Sequence, residues 1–273
     1  MAEPNRRHRR MTAEEMKARH RARPEPSYSL DGYKMVGPLR DGMRKVSTLR
    51  LELRDLASYT EFFPMAGTWG FVEANGKPVI KPQYIYAYDF CNGVAVVCRG
   101  EWRNDKYDNG YGKSLYWSDE EIWGVIDKSG NAVIPFVFDE LESFGEAENR
   151  FFRAHYGGWK TGGWGVLDAQ GDWVVEPVYG EIGDECRDGL FVFCNKRITE
   201  KGALWGVYDF DQRRVLFEPQ FRSAYLLRCG LISVFVVDGA TGKPVCKTID
   251  RYGNETEPPE DEYEEGAWSP PDT

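Results

Sequence analysis

The chain has 273 residues, 41% of them hydrophobic and 14% aromatic, which is enough apolar material for a sizeable core and ordinary for a single all-β domain. Its formal charge of −9 is uneven: five net positive charges in residues 1–23 and eight negative charges in 254–273 leave −6 on the body, a balance that excludes a general attraction for nucleic-acid phosphates. The sequence has no run near the roughly 18 apolar residues of a membrane span, and its basic start lacks the apolar core of a secretory signal, so it points to a cytoplasmic protein with no membrane partner.

Residues 1–27 begin with Arg6, Arg7, His8, Arg9 and Arg10, then offer Thr12 as a helix cap with Glu15 three residues on, and Pro24 as a stop. Few apolar residues are available to dock such a helix, so the segment is expected to be a basic, partly helical or disordered tail. Contact with nucleic acid, or with the acidic residues 254–273, would have to come from here.

The body is expected over 28–253. Leu39-Arg40-Asp41-Gly42 followed by Met43–Val46 returns as Phe90-Cys91-Asn92-Gly93 with Val94–Val97, and more loosely at Asp188-Gly189 and Cys229-Gly230. Around Leu49, Leu51 and Leu53 apolar residues alternate, which predicts a strand. A second phrase starts at Trp69-Gly70, Trp123-Gly124, Trp164-Gly165 and Trp205-Gly206, with spacings of 54, 41 and 41 residues. A period near 40 built from short β signals is the mark of a propeller or solenoid unit. The longer first spacing falls in Gly100–Glu121, read as a long loop inserted before a Trp-Gly pair and holding Trp102, Tyr107, Tyr111, Tyr116 and Trp117.

Each Trp-Gly strand runs into a tight turn. Glu73–Gly76, Asp127–Gly130 and Asp168–Gly171 place a carboxylate first and glycine fourth, which suits a type I turn with the carboxylate capping backbone N–H groups. Val79-Ile80, Val133-Ile134 and Val174-Val175 then start a strand that Pro82, Pro135 or Pro177 should end or confine to a sheet edge. After Trp205 the turn has Gln212 in place of glycine and Pro219 comes one residue late, so a different turn is expected. Ile249–Gly253 reads as a degenerate fifth copy, with Lys247-Thr248 where Trp-Gly would stand, and 254–273 as an acidic disordered tail. Recurrence at one repeat position makes the tryptophans core plugs, and the glycine beside each a point of close backbone approach.

Trp-Gly followed by alternating apolar residues, Asp or Glu, a glycine turn and an apolar pair before proline resembles the WG (KWG) repeats found mainly in bacterial proteins. The resemblance covers roughly residues 39–253. It implies tandem β-rich repeats with an interaction role, and no catalytic residues to carry over.

Residues suited to catalysis are sparse in this sequence. His8 and His20 lie in the tail, and His155 is the sole histidine of the body, with no Ser or Cys tied to it by a nucleophile motif. Metal-ligand spacings and phosphate-binding glycine loops are absent, so no cofactor, metal or catalysis is expected. Six cysteines without a Cys-x-x-Cys pair read as buried thiols of a reducing compartment. The architecture expected is a small five-bladed propeller-like domain of four-stranded units, with an open β-solenoid as the alternative, and residues 39–53 completing the ring against Cys246–Gly253. Function should lie where the repeats disagree. The insertion and the loop 155–163 both precede a Trp-Gly strand, so Trp102, Tyr107, Tyr111, Tyr116, Trp117, His155 and Trp159 form the candidate binding face. A protein partner is the first reading, a carbohydrate or small ligand the second, and nucleic acid at the basic tail the third.

Overall fold

A computed structural model describes residues 30–48, 68–103, 117–145, 150–237, 239 and 241–258. The expected helix near Thr12, the strand at 49–53, and Tyr107, Tyr111 and Tyr116 lie outside the described residues. Within them the chain forms five antiparallel four-stranded sheets in chain order. The first contains β1 (Met35–Val36), β2 (Met43–Ser47), β3 (Trp69–Glu73) and β4 (Pro78–Tyr84). The second contains β5 (Tyr86–Ala87), β6 (Val94–Arg103), β7 (Trp117–Asp127) and β8 (Ala132–Phe138). The third contains β9 (Glu140–Phe144), β10 (Phe151–Tyr156), β11 (Gly163–Asp168) and β12 (Trp173–Tyr179). The fourth contains β13 (Glu181–Arg187), β14 (Leu190–Cys194), β15 (Trp205–Asp209) and β16 (Arg214–Phe221). The fifth contains β17 (Ser223–Leu226), β18 (Ile232–Val237), β19 (Pro244–Ile249) and β20 (Glu255–Thr256). No helix among the described residues is long and apolar enough to cross a membrane.

Each Trp-Gly strand is the third of its sheet, so the sequence repeat and the sheet are out of phase by two strands. This corrects the expected pairing of the chain ends. Met43–Ser47 pairs with Trp69–Glu73, because the first sheet needs two strands ahead of its Trp-Gly strand, while Cys246 lies on β19 between β18 and β20. The sheet fold also runs on through Glu255–Thr256, past the expected end at Gly253. Consecutive sheets are joined by single residues, Ile85, Asp139, Gly180 and Arg222, whose N–H groups donate to the second strand of the following sheet.

Two kinds of turn explain the two sequence phrases. The Asp-Gly phrase joins first and second strands: Asp41 and Gly42, Asn92 and Gly93, Asp188 and Gly189, and Cys229 and Gly230 all have positive φ. A two-residue hairpin loop with both central residues left-handed is the type I′ turn, for which Asn-Gly and Asp-Gly are the favoured pairs. The second kind follows the Trp-Gly strand. Asp127 Oδ1 accepts from Ser129 N and Asn131 N at 2.8 and 2.9 Å, and Asp168 and Asp250 repeat the pattern. These hydrogen bonds hold the Asp127 and Asp250 carboxyls below the usual carboxylate range, led by the Asn131 and Asn254 side chains. After Trp205, Arg213 occupies the left-handed position that glycine holds elsewhere, at φ 51°, one residue late, so the different turn expected there forms.

The core follows from strand alternation. In each third strand the Trp and the residue two beyond it face the following sheet, while the glycine and the residue after next face the preceding one. Trp69 and Phe71 therefore pack with Ala87, Phe90 and Ala95, and Trp164 and Val166 with Ile182, Phe191 and Phe193. The four hydrophobic clusters among the described residues each join two consecutive sheets. This neighbour-to-neighbour stacking of four-stranded units gives the five-bladed propeller-like architecture, with packing that an open solenoid of the same units would share. Trp69, Trp123 and Trp164 are buried and Trp205 is half-buried. A Cβ on Gly165 would stand 2.5 Å from Val175 O, and one on Gly206 2.6 Å from Phe217 O, because the fourth strand bulges over the glycine. Pro82, Pro135, Pro177 and Pro219 lie in these fourth strands, which are sheet edges and need no proline N–H.

The fifth sheet departs from the repeat at its third strand. The turn register puts Cys246 and Lys247, rather than Lys247 and Thr248, at the Trp-Gly positions, four residues ahead of Asp250 as Trp164 is ahead of Asp168. Cys246 Sγ lies 3.3 Å from Ser233 Oγ, so a small thiol with a hydroxyl neighbour stands at the position where the other four sheets carry tryptophan. Cys246 and Cys229 are exposed and Cys98 and Cys194 are buried, with no disulfide among the six, so the expectation of buried thiols holds for only part of the set.

Candidate binding face

Antiparallel pairing puts every connection between second and third strands at the end of the sheets where the Trp-Gly strands begin: His155 pairs with Trp164, and Trp164 with Tyr179 at the end of the fourth strand. The insertion 100–121 lies here. It is not wholly a loop, because β6 and β7 extend into it, with a bulge between Arg99 and Glu101 and with Trp102 opposite Ser118 and Arg103 opposite Trp117. Trp102 and Trp117 therefore sit on paired strands. In the fourth sheet the corresponding connection is pinned by Leu204 N donating to Asn195 Oδ1, and Ile198 is exposed.

In the third sheet the connection is short and organised around Asp139, the single residue linking second and third sheets. Its Oδ2 accepts from His155 Nδ1 at 3.0 Å and from Gly158 N at 2.9 Å. The carboxylate fixes the ring and the start of the loop at once, and it assigns the Nδ1 proton to His155. Gly157 and Gly158 have positive φ, and Gly162 N donates to Gly158 O at 2.7 Å, closing a tight bend. Trp159 at its crest stacks on His155 at 4.4 Å between centroids and 15° between planes, and His155 meets the edge of Trp164 at 5.4 Å. His155 is buried at 3% exposure, whereas Trp159 is 53% exposed. Of the candidate residues with described side chains, Trp159 presents a surface and His155 is the support beneath it. Tyr156, Val178 and Val137 are also exposed, Tyr156 lying 5.9 Å from Phe138.

A buried cation lies next to this support. Arg153 is buried, places its guanidinium 4.6 Å over the Trp164 ring, and reaches into the fourth sheet to Ile182 O and Asp184 Oδ1 at 2.7 and 2.5 Å. Its other terminal nitrogen meets Glu142 at 2.7 Å. Burial opposes the charge on Arg153, but Glu142 and Asp184 outweigh it and raise its pKa. Lys45 repeats the arrangement two seams earlier, over Trp69 at 5.5 Å and toward Ala87 O and Asp89 at 3.5 and 3.4 Å. In both clamps a second-strand cation crosses the repeat tryptophan to a first-strand carbonyl and to the Asp two residues on. The second and fourth sheets carry Val96 and Val192 at that position. A signal existed in the Ala87-Tyr88-Asp89 and Ile182-Gly183-Asp184 spacing, but Lys45 and Arg153 stand 24 and 11 residues before their tryptophans, which hides their equivalence. Among the described residues no group of three or more His, Cys, Asp or Glu is arranged to hold a metal ion.

Three stretches, residues 69–101, 123–152 and 164–196, match the family described as WG containing repeat. Each match begins at a Trp and spans the third and fourth strands of one sheet and the first and second of the next. No curated protein matches the chain. Solved structures with similarity include a eukaryotic initiation factor, at 8% identity and TM-score 0.44 over 84% of this chain and 55% of that one. Another is the β-propeller domain of the Trilobed protease from Pyrococcus furiosus, described as having an open velcro topology, at 11% identity and TM-score 0.37 over 63% of this chain and 56% of that one. The chain thus spans little more than half the length of either.

Proposed function

We propose that this chain of WG repeats is a non-catalytic interaction module that binds a protein partner through the sheet end carrying the second-to-third strand connections. The observation that supports this reading best is Trp159: a half-exposed indole stacked on a buried histidine. Large rigid aromatics surrounded by partly apolar surface are the usual anchors of protein interfaces, because little side-chain entropy remains to be lost on binding. The paired strands with Trp102 and Trp117 would extend the same face. His155, the body's sole histidine, has its Nδ1 committed to Asp139 and its ring covered by Trp159, which supports a scaffold role over general-base chemistry. A bacterial, cytoplasmic setting is part of the proposal, and the lack of a disulfide among the six cysteines fits it.

The test is an affinity pull-down from host lysate with the full chain, with Trp159→Ala, and with a version shortened across 102–118. Loss of the same partner band from both altered chains, with melting temperatures kept within a few degrees, is the expected result. A partner retained at full yield by both would overturn the assignment of this face. Glycan titration read by tryptophan fluorescence covers the carbohydrate reading, since a sugar stacked on Trp159 would change its emission and the Trp159→Ala chain would lose that change.

A further inference from the structure

We propose that the joint between the third and fourth sheets is a pH-responsive seam, closed while Glu140 carries a proton and loosened when that carboxyl ionises. Glu140 pairs across strands with His155, and Glu142 with Arg153, so all four side chains leave the third sheet on the side facing the fourth. Glu181 and Asp184 approach from β13, Tyr88 from the second sheet, and Cys194 is the strand partner of Glu181. The linking Asp139 lies next to Glu140 and is engaged with His155 and Gly158. Four carboxylates therefore surround Arg153, whose terminal nitrogens are already directed to Glu142, Asp184 and Ile182 O.

The charge count decides the behaviour. With Glu140 protonated, three carboxylates face one guanidinium, two of them in direct contact with it. Ionisation adds a fourth negative charge in a half-buried site, where repulsion is screened less than at the surface. Burial first, and Glu142 second, push Glu140 up to about 7, with Arg153 opposing only in part, while Glu181 is raised by burial in the same direction. A raised carboxyl binds its proton more tightly in the folded chain than in the unfolded one. The folded state therefore loses relative stability as pH rises from the unfolded value near 4.5 through about 7, and the loss is complete above that. The seam most exposed to this change is the one Arg153 clamps. The Lys45 clamp between first and second sheets has Asp89 as its carboxylate, which makes it an internal comparison.

The experiment uses the full chain and needs no ligand. Melting temperatures of wild type and Glu140→Gln are compared at pH 5.5 and 8.0, with amide hydrogen exchange corrected for the intrinsic pH dependence of the rate. Wild type is expected to lose roughly 5–10 °C more than the variant across this interval. Exchange at β10 and β14 should accelerate at pH 8.0 in wild type only, and β2 should be unaffected. Glu142→Gln removes a neighbouring charge and should shift the wild-type midpoint to lower pH, which keeps the idea testable if Glu140→Gln folds poorly. An equal loss in wild type and Glu140→Gln, or an unmoved midpoint in Glu142→Gln, would overturn it.

Discussion

At the scale of single residues, the pair Trp164 and Gly165 carries the repeat. Trp164 fills the seam to the fourth sheet and is buried at 5% exposure, in edge contact with His155 and beneath Arg153. Removing the ring leaves a cavity and strips the guanidinium of its platform, so Trp164→Ala should destabilise the fold by about 3–5 kcal/mol. Gly165 has the opposite problem. A methyl group there meets a backbone carbonyl, which cannot rotate away as a side chain can, and Gly165→Ala should cost about 1–3 kcal/mol through overpacking. Denaturant titration measures both; an unchanged midpoint for either variant would contradict the packing described. The core role of the tryptophans was legible in the sequence because a plug at a fixed repeat position recurs. The support role of His155 was not, since nothing in the chain order of Asp139, His155 and Trp159 announces that one carboxylate fixes both a ring and a loop.

At the scale of elements, the two turn types divide the work. The type I′ turns were visible only as a repeated phrase, and their second use lies between sheets: Asp41 accepts from Gly93 N, and Asp188 from Gly230 N, both at 2.7 Å. Lys128 adds an ion pair to Asp41 at 2.8 Å, and with the Gly93 hydrogen bond it holds that carboxyl below its ordinary range. The turns of the first and fourth sheets are thus fastened to those of the sheets that follow. The turn after Trp205 is the exception among its kind, since Arg213 occupies a left-handed backbone conformation that costs a side-chain-bearing residue about 1–2 kcal/mol. Arg213→Gly should raise the stability by about 0.5–1 kcal/mol once the added freedom of the unfolded chain is subtracted. A drop in melting temperature would show that the side chain makes a contact worth more than the strain.

At the scale of the whole molecule, five sheets each bury a face against their neighbour. A chain shortened after Phe221 would keep four sheets but uncover Leu190, Val192, Val207 and Phe221, which the fifth sheet covers. Such a chain should bind a hydrophobic dye and aggregate at concentrations where the intact chain does not. A shortened chain as soluble and dye-silent as the parent would mean that the fifth sheet adds little cover. The binding reading also belongs to this scale. A face becomes a surface only when connections distant in sequence, the one between β6 and β7, the Trp159 loop and the Asn195–Leu204 loop, are brought to one end of the sheets by pairing register.

The sequence by itself determined the repeat, the β class, the identity of the core plugs and the carboxylate-capped turn after the Trp-Gly strand, because each rests on local interactions that recur: alternation, glycine closing a turn, and Asp beside free N–H groups. The tertiary structure alone decided the phase between repeat and sheet, which placed Met43–Ser47 beside Trp69 and not against the chain end. It also brought Arg153, Glu140, Glu142, Glu181 and Asp184 to one seam. Those residues come from three strands in two sheets, and the energy that defines them is burial and charge at close range, which no spacing along the chain encodes.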